Sequence, residues 1–243
     1  MSKKLFIEDD IGFVELLEVF GDDLTVVNAA RVSFDKESSF EPVMSQADGS
    51  VVGYALPERD KKLVAYLAAH DHVTPFFHPM ARLRIKMPIF VAREWYRHTI
   101  GFARNEVSRR YVTTDPEFFV PQALRARDKN VKQGSRSESV ENNAALVPGM
   151  AQYCREALEY YKRLMDTEQV CPEQARMILP QSMYTEFIET ASIAGYARLV
   201  NLRSGSTAQK EIRDYAHCVT LLLAKEFPVS WDALVTVESE KEV

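Results

Sequence analysis

"ARLRIKMPIFVAREWYRHT", residues 81–99, changes its period at a single proline. Ahead of Pro88, Ala81, Leu83, Ile85 and Met87 alternate with Arg82, Arg84 and Lys86, the period of two expected of a half-buried strand with one cationic face. Pro88 suits the first turn of a helix, where its missing N–H costs nothing. In that helix Arg93 and Arg97 fall one turn apart, as do Glu94 and His98, which leaves Ile89, Phe90, Ala92 and Tyr96 to pack inward before Gly101 ends it.

Working outward, "ERDKKLVAYLAAH" (58–70) places Leu63, Tyr66, Leu67 and His70 on one helical stripe, and Pro75 and Pro79 prevent its continuation. Upstream, Phe13, Leu16, Leu17 and Phe20 precede a Gly21-Asp22-Asp23 turn signal. Leu24, Val27, Ala30 and Val32 then read as a short helix passing into an extended piece. Residues 36–56 have no period and read as a loop.

Downstream, residues 126–147 are polar and aperiodic, and a mobile loop is expected there. Met150, Cys154, Ala157, Leu158, Tyr161, Leu164 and Met165 form a helical stripe, Cys171-Pro172 starts another segment, and Pro180 interrupts it. Ser206 and Gln209 read as a capping box for a last helix with core stripe Ile212, Tyr215, Ala216, Val219, Leu222 and Leu223. The charged end 238–243 is expected to fray. Together these elements predict a helix-rich α+β fold with a small antiparallel or mixed sheet, in one domain spanning 1–243.

The balance of 30 Lys and Arg against 35 Asp and Glu is acidic, which argues against a general nucleic-acid binder. No apolar run reaches the roughly 20 residues of a membrane span. The opening residues lack a secretory pattern and Cys154, Cys171 and Cys218 follow no metal spacing, so a reducing cytoplasmic setting is expected. The two flanking thiols, Cys154 and Cys218, fall on or beside core stripes and read as inert.

Against that acidic background, residues 93–112 hold five arginines and a histidine. Guanidinium groups grip phosphates bidentately, and Asn105, Glu106 and Ser108 among Arg97, Arg104, Arg109 and Arg110 add groups that read base and sugar edges, so a nucleotide is the expected ligand. No GxGxxG or GxxxxGK[ST] pattern is present and the chain has only 9 glycines, so side chains must hold the phosphates. His70, His72 and His78 lack companion Cys or carboxylate spacing, and a cofactor contact is the better reading of them than zinc.

Arg97-His98-Thr99, an eight-residue gap and Ser108 resemble the signature of flavin-dependent thymidylate synthases, Arg-His-Arg, a seven-residue gap and Ser. "GFVELLEVFGDDLTVVNAARVSF", "HVTPFFH", "PIFVAREW", "ARMILPQSMYTEF" and "NLRSGSTAQKEI" are similar to successive blocks of that family, over almost the whole chain. The resemblance implies reductive methylation of dUMP to dTMP, with FAD reduced by NADPH as hydride source and methylenetetrahydrofolate as one-carbon donor, without a cysteine nucleophile. It also implies a homotetramer whose sites draw on several subunits.

Carried over by position, Arg203 matches the arginine held against the uracil ring, where a cation favours the N3-deprotonated pyrimidine. Arg97, Glu106, Ser108, Arg110 and Arg176 match dUMP contacts, with Arg109 beside them, and Glu94 stands where the family usually has Gln. For FAD, Thr74, Arg97, His98 and Glu106 match, and His72 matches the histidine on the folate or nicotinamide side. Thr99 replaces the third basic residue of the signature, with Arg104 assigned to compensate. Ser192 and Ala194 replace an Asn and an Arg, Arg198 stands in place of an Asn, and Arg198 is assigned the phosphate contact that Ala194 does not supply. Two other readings compete: a single-strand-binding module stacking bases on Trp95, Tyr96 and Tyr111, and a relative that binds dUMP and FAD without turnover.

Overall fold

The computed structural model describes residues 3–112, 114–128 and 135–236. In chain order the elements are β1 (Lys4–Phe6), β2 (Phe13–Phe20), α1 (Asp23–Arg31), β3 (Glu41–Met44), β4 (Val51–Ala55), α2 (Glu58–Ala69), β5 (Met80–Pro88), α3 (Ile89–Trp95) and β6 (Phe102–Glu106). There follow β7 (Arg125–Arg127), β8 (Ser135–Ser139), α4 (Asn143–Lys162), α5 (Pro172–Ala175), β9 (Tyr184–Ser192), α6 (Ile193–Arg203), α7 (Lys210–Glu226) and α8 (Pro228–Leu234). Strands β1-β2-β5-β9-β6 form one five-stranded sheet in which every pairing is antiparallel, so the fold is the α+β class expected.

The strand read from residues 81–87 is β5, near the middle of this sheet. Ala81, Leu83, Ile85 and Met87 are buried against the helical layer, each large side chain contributing about 1.5–3 kcal/mol. Its cationic face is neutralised by carboxylates: Arg82 pairs with Glu18, Arg84 with Glu186 and Lys86 with Glu117. The core inside is completed by Val91, Ala92 and Trp95 of α3 and by the buried stripes of α6 and α7. The α7 stripe read from sequence is buried at all six positions.

Several local expectations are corrected. On α3 the fully buried residues are Val91, Ala92 and Trp95, while Phe90 and Tyr96 pack partly buried against the same core as expected, Tyr96 just past the helix end and edge-on to Phe187. On α2 the buried residues are Asp60, Val64 and Leu67, with Asp60 paired to Arg31, so the stripe is rotated from the one expected. Ser206 caps nothing; α7 begins at Lys210, and Gln209 bonds its own neighbour Glu211 at 2.9 Å. The capping box lies at α1, where Asp22 Oδ1 accepts from the Thr25 N–H at 2.9 Å and Thr25 Oγ1 from the Asp22 N–H at 3.1 Å.

Residues 36–56 contain the β3–β4 hairpin, and 32–34 form a tight helical turn instead of an extended piece. Within 126–147, β7 pairs with β8 and α4 begins at Asn143; residues 129–134 lie outside the described residues, as does the end at 238–243. Strand β9 went unread. Its inward row is Thr185, Phe187, Glu189 and Ala191 while Ile188 faces out, so polarity does not follow the pleat.

Candidate functional site

The turn after α3 and the last turn of α6 meet. Gly101, at φ +76, takes the left-handed conformation that reverses the chain from α3 into β6 and sets His98 beneath α6. There Arg203 forms an ion pair with Glu94 of α3, Nη1 to Oε1 at 2.7 Å, and donates from Nε to Nε2 of His98 at 3.0 Å. Three residues separated by up to 109 positions thus share one contact, two of them from the arginine-rich stretch.

His98 is 4% exposed. Burial, reinforced by the cations of Arg203, Arg198 and Arg104, pushes its pKa down to about 4. It is therefore neutral near pH 7, with its Nε2 lone pair turned to Arg203 and the proton on Nδ1. Arg97 and Arg198 are exposed and have no ion-pair partner among the described residues, and Thr99 is exposed beside them.

Arg104 sits directly opposite Glu189 across β6 and β9 and is bonded to it through Nε. Glu189 is wholly buried, receives the Trp95 indole N–H at 3.2 Å on each oxygen, and has its pKa raised because burial outweighs the Arg104 cation. The Arg104 guanidinium lies over Phe102 at 4.8 Å and Tyr96 at 5.3 Å. Its Nη2 is buried and has no hydrogen-bond partner among the described residues. Trp95 is spent on this network and is fully buried, which removes it as a base-stacking platform.

Glu106 at the end of β6 accepts from the Thr185 hydroxyl at 2.6 Å. Beyond it lies a second group. The Ser108 hydroxyl accepts weakly from the Arg110 N–H at 3.4 Å, Arg109 donates to the Thr114 carbonyl, and Arg110 pairs with Glu173 at 3.4 Å while lying over Tyr111. Glu173 and Arg176 are three residues apart across α5 and the helical turn that follows it, and Arg176 is exposed and without an ion pair among the described residues. No hydrogen bond or ion pair between described residues joins this second group to the Arg203 group.

Thr74 is exposed at the start of the turn Thr74–Phe77, which packs against α6, and His72 is exposed two residues ahead of it. Nearby His70 stacks on Tyr66 at 4.0 Å. Ser192 is the N-cap of α6: its Oγ accepts from the Gly195 N–H at 3.2 Å and is buried. Ser192→Ala is expected to cost about 1 kcal/mol of stability in thermal unfolding. A loss of flavin with no change in unfolding would instead give this hydroxyl to the cofactor.

A cavity of about 510 Å³ opens elsewhere, against Ile7, Phe119, Pro121 and Tyr215, and none of the expected site residues lines it. Its charges compensate one another, Arg125 with Glu211 at 2.8 Å and Lys210 with Asp214 at 2.9 Å, so it has little to offer a phosphate. Among the described residues no helix is long and apolar enough to cross a membrane.

Sequence missed Glu189 altogether. The signal was a glutamate in the inward register of a strand, which only an opposing arginine can accommodate.

The family model described as "Thymidylate synthase complementing protein" matches residues 15–229. The flavin-dependent thymidylate synthase of Kosmotoga olearia is 37% identical over 225 residues, covering 92% of this chain and 90% of that protein. That of Thermosipho melanesiensis is 34% identical over 227 residues, covering 93% and 91%. The crystal structure of the UMP/dUMP methylase PolB from Streptomyces cacaoi, bound with 5-Br dUMP, is similar with a TM-score of 0.74 at 28% identity, covering 96% of this chain and 95% of that one.

Proposed function

Because the chain belongs to the flavin-dependent thymidylate synthase family and is an enzyme of that type, we propose that it methylates dUMP to dTMP, with methylenetetrahydrofolate as one-carbon donor and NADPH as reductant. The observation that carries this reading is the Glu94–Arg203–His98 contact beside the unpaired Arg97 and Arg198, a donor set suited to a pyrimidine edge and to phosphates.

FAD fits these residues: Arg97, Arg198 and the orphaned Nη2 of Arg104 offer donors to its diphosphate, with His98 and Thr99 on the turn after α3, Thr74 on the turn packed against α6 and Glu106 at the end of β6. When bound it supplies the hydride. The protein orients the nucleotide: Arg203 faces the uracil, Ser108, Arg109, Arg110 and Arg176 take the phosphate end, and His72 faces folate or nicotinamide. Ser192, already capping α6, contributes to the fold of that region.

The distance in bonding between the phosphate-end group and the Arg203 group supports a homotetramer in which one subunit's Arg110 and Arg176 complete another's site. Light scattering on the eluted protein should give four times the chain mass, and a monomer that turns over would overthrow this arrangement.

The cysteines support a mechanism without a thiol nucleophile. Cys154 and Cys218 are buried, burial pushes the Cys218 thiol up to about 11, and Cys171 is exposed at the start of α5. A protein with Cys154→Ala, Cys171→Ser and Cys218→Ala should still form dTMP.

The direct test incubates purified, FAD-loaded protein with NADPH, methylenetetrahydrofolate and either dUMP or UMP, and follows the methylated nucleotide by chromatography. Formation of dTMP is expected. A colourless protein that takes up no FAD and binds oligonucleotides instead would replace this reading with the single-strand-binding module.

A further inference from the structure

Two polar side chains stand in the inward row of β9, Thr185 and Glu189, and each is matched to a residue of β6. The match of Glu189 with Arg104 is closed on itself, with the carboxylate wholly buried and the Trp95 indole donating to it. The other match is open at one end. Thr185 is 4% exposed and its hydroxyl donates to Oε1 of Glu106 at 2.6 Å, whereas Glu106 lies exposed at the last position of its strand.

A threonine in a packed row has the shape of a valine and adds a hydroxyl, which is costly to bury unless it is bonded. Here the bond goes to a carboxylate that water could have solvated, so a valine would have served the core as well. What the hydroxyl adds is a fixed place for Glu106. The backbone around that carboxylate is also pinned: Glu106 lies opposite Phe187, and the Val107 N–H donates to the Glu186 carbonyl at 2.8 Å. Beside it the Tyr96 hydroxyl is buried and makes no hydrogen bond among the described residues. Burial, and after it the charge of Glu106, holds the Tyr96 pKa well above the usual tyrosine value, so this hydroxyl stays a donor on the inner side of the carboxylate.

We propose that Thr185 is a positioning residue for nucleotide binding, its hydroxyl holding the Glu106 carboxylate in one rotamer so that Oε2 is free to accept from dUMP. This rests on the dUMP reading above and on the assignment of Glu106 to that nucleotide. A glutamate side chain ordered before the ligand arrives has already lost its rotamer freedom, and that cost no longer falls on binding. Thr185 itself is buried and acts only through Glu106.

The test measures dissociation constants for dUMP on FAD-loaded protein by flavin fluorescence, for the wild type, Thr185→Val, Thr185→Ser, Glu106→Ala and the double variant of Glu106→Ala with Thr185→Val. Thr185→Val should weaken binding about tenfold, the factor that one hydrogen bond to a charged group can supply. Thr185→Ser, which keeps the hydroxyl, should bind nearly as the wild type does. In the Glu106→Ala background, Thr185→Val should weaken binding no further, because the residue it acts through is gone. Thr185→Ala enters the same cycle if the valine variant does not fold. Equal weakening in both backgrounds, or unchanged affinity in Thr185→Val, overturns the proposal while leaving dUMP as substrate. If the wild type takes up FAD and binds no dUMP, the dUMP reading fails and this assignment goes with it.

Discussion

Arg203→Ala should lower kcat for dTMP formation by about 10²–10³-fold, the usual cost of removing one preorganised donor from a developing charge. Its guanidinium is held by Glu94 at 2.7 Å and His98 at 3.0 Å, so the orientation exists before substrate arrives and costs no reorganisation during the reaction. The same contacts bound the structural damage. Glu94 is left partly exposed and can be solvated, while His98 loses one hydrogen bond, a net loss of about 1 kcal/mol. Far-ultraviolet circular dichroism and flavin absorbance should therefore survive the substitution. Retention of wild-type turnover would strip Arg203 of its assigned role; loss of the fold would show that the pair is chiefly structural.

The second large effect is on stability. Arg104→Ala is expected to destabilise the protein by about 3–5 kcal/mol near neutral pH, because it leaves the carboxylate of Glu189 buried without its cation. The two Trp95 bonds at 3.2 Å satisfy the oxygens but do not neutralise the charge.

The pH dependence has a definite sign. Glu189 already has a folded pKa above its unfolded one, so its contribution is greatest in acid and is lost as pH rises through the folded value. Removing Arg104 raises that value further. The deficit of the variant should therefore grow as the pH is raised from about 5 to about 8 and shrink as it is lowered, because protonation relieves the buried carboxylate. Urea unfolding of both proteins across that range decides it, and a deficit that is the same at every pH would mean that the pair is not what Arg104 contributes.

Much of the fold was legible because it follows local periods. The alternation of 81–87 gave β5 and the stripe from Ile212 to Leu223 gave α7, each set by which side chains a single element can bury. Sequence failed where a local rule was broken for the sake of a distant partner. Strand β9 puts Glu189 where an apolar residue belongs, tolerable because Arg104 is opposite in the neighbouring strand. The β3–β4 hairpin escaped notice for another reason: Val43, Met44, Val51, Val52 and Tyr54 are all exposed, so burial imposes no pattern on it.

For the site, residue chemistry alone singled out a cation-rich stretch in an acidic chain and assigned it a nucleotide, since charge and donor types belong to the side chains themselves. Which cation is free and which is spent belongs to the tertiary structure. Arg104 and Arg97 lie in the same stretch, yet the pairing of β6 with β9 turns Arg104 inward onto Glu189 and leaves Arg97 in solvent. The meeting of Glu94, His98 and Arg203 depends on the packing of α6 over the turn after α3, a long-range contact whose closure no local period encodes.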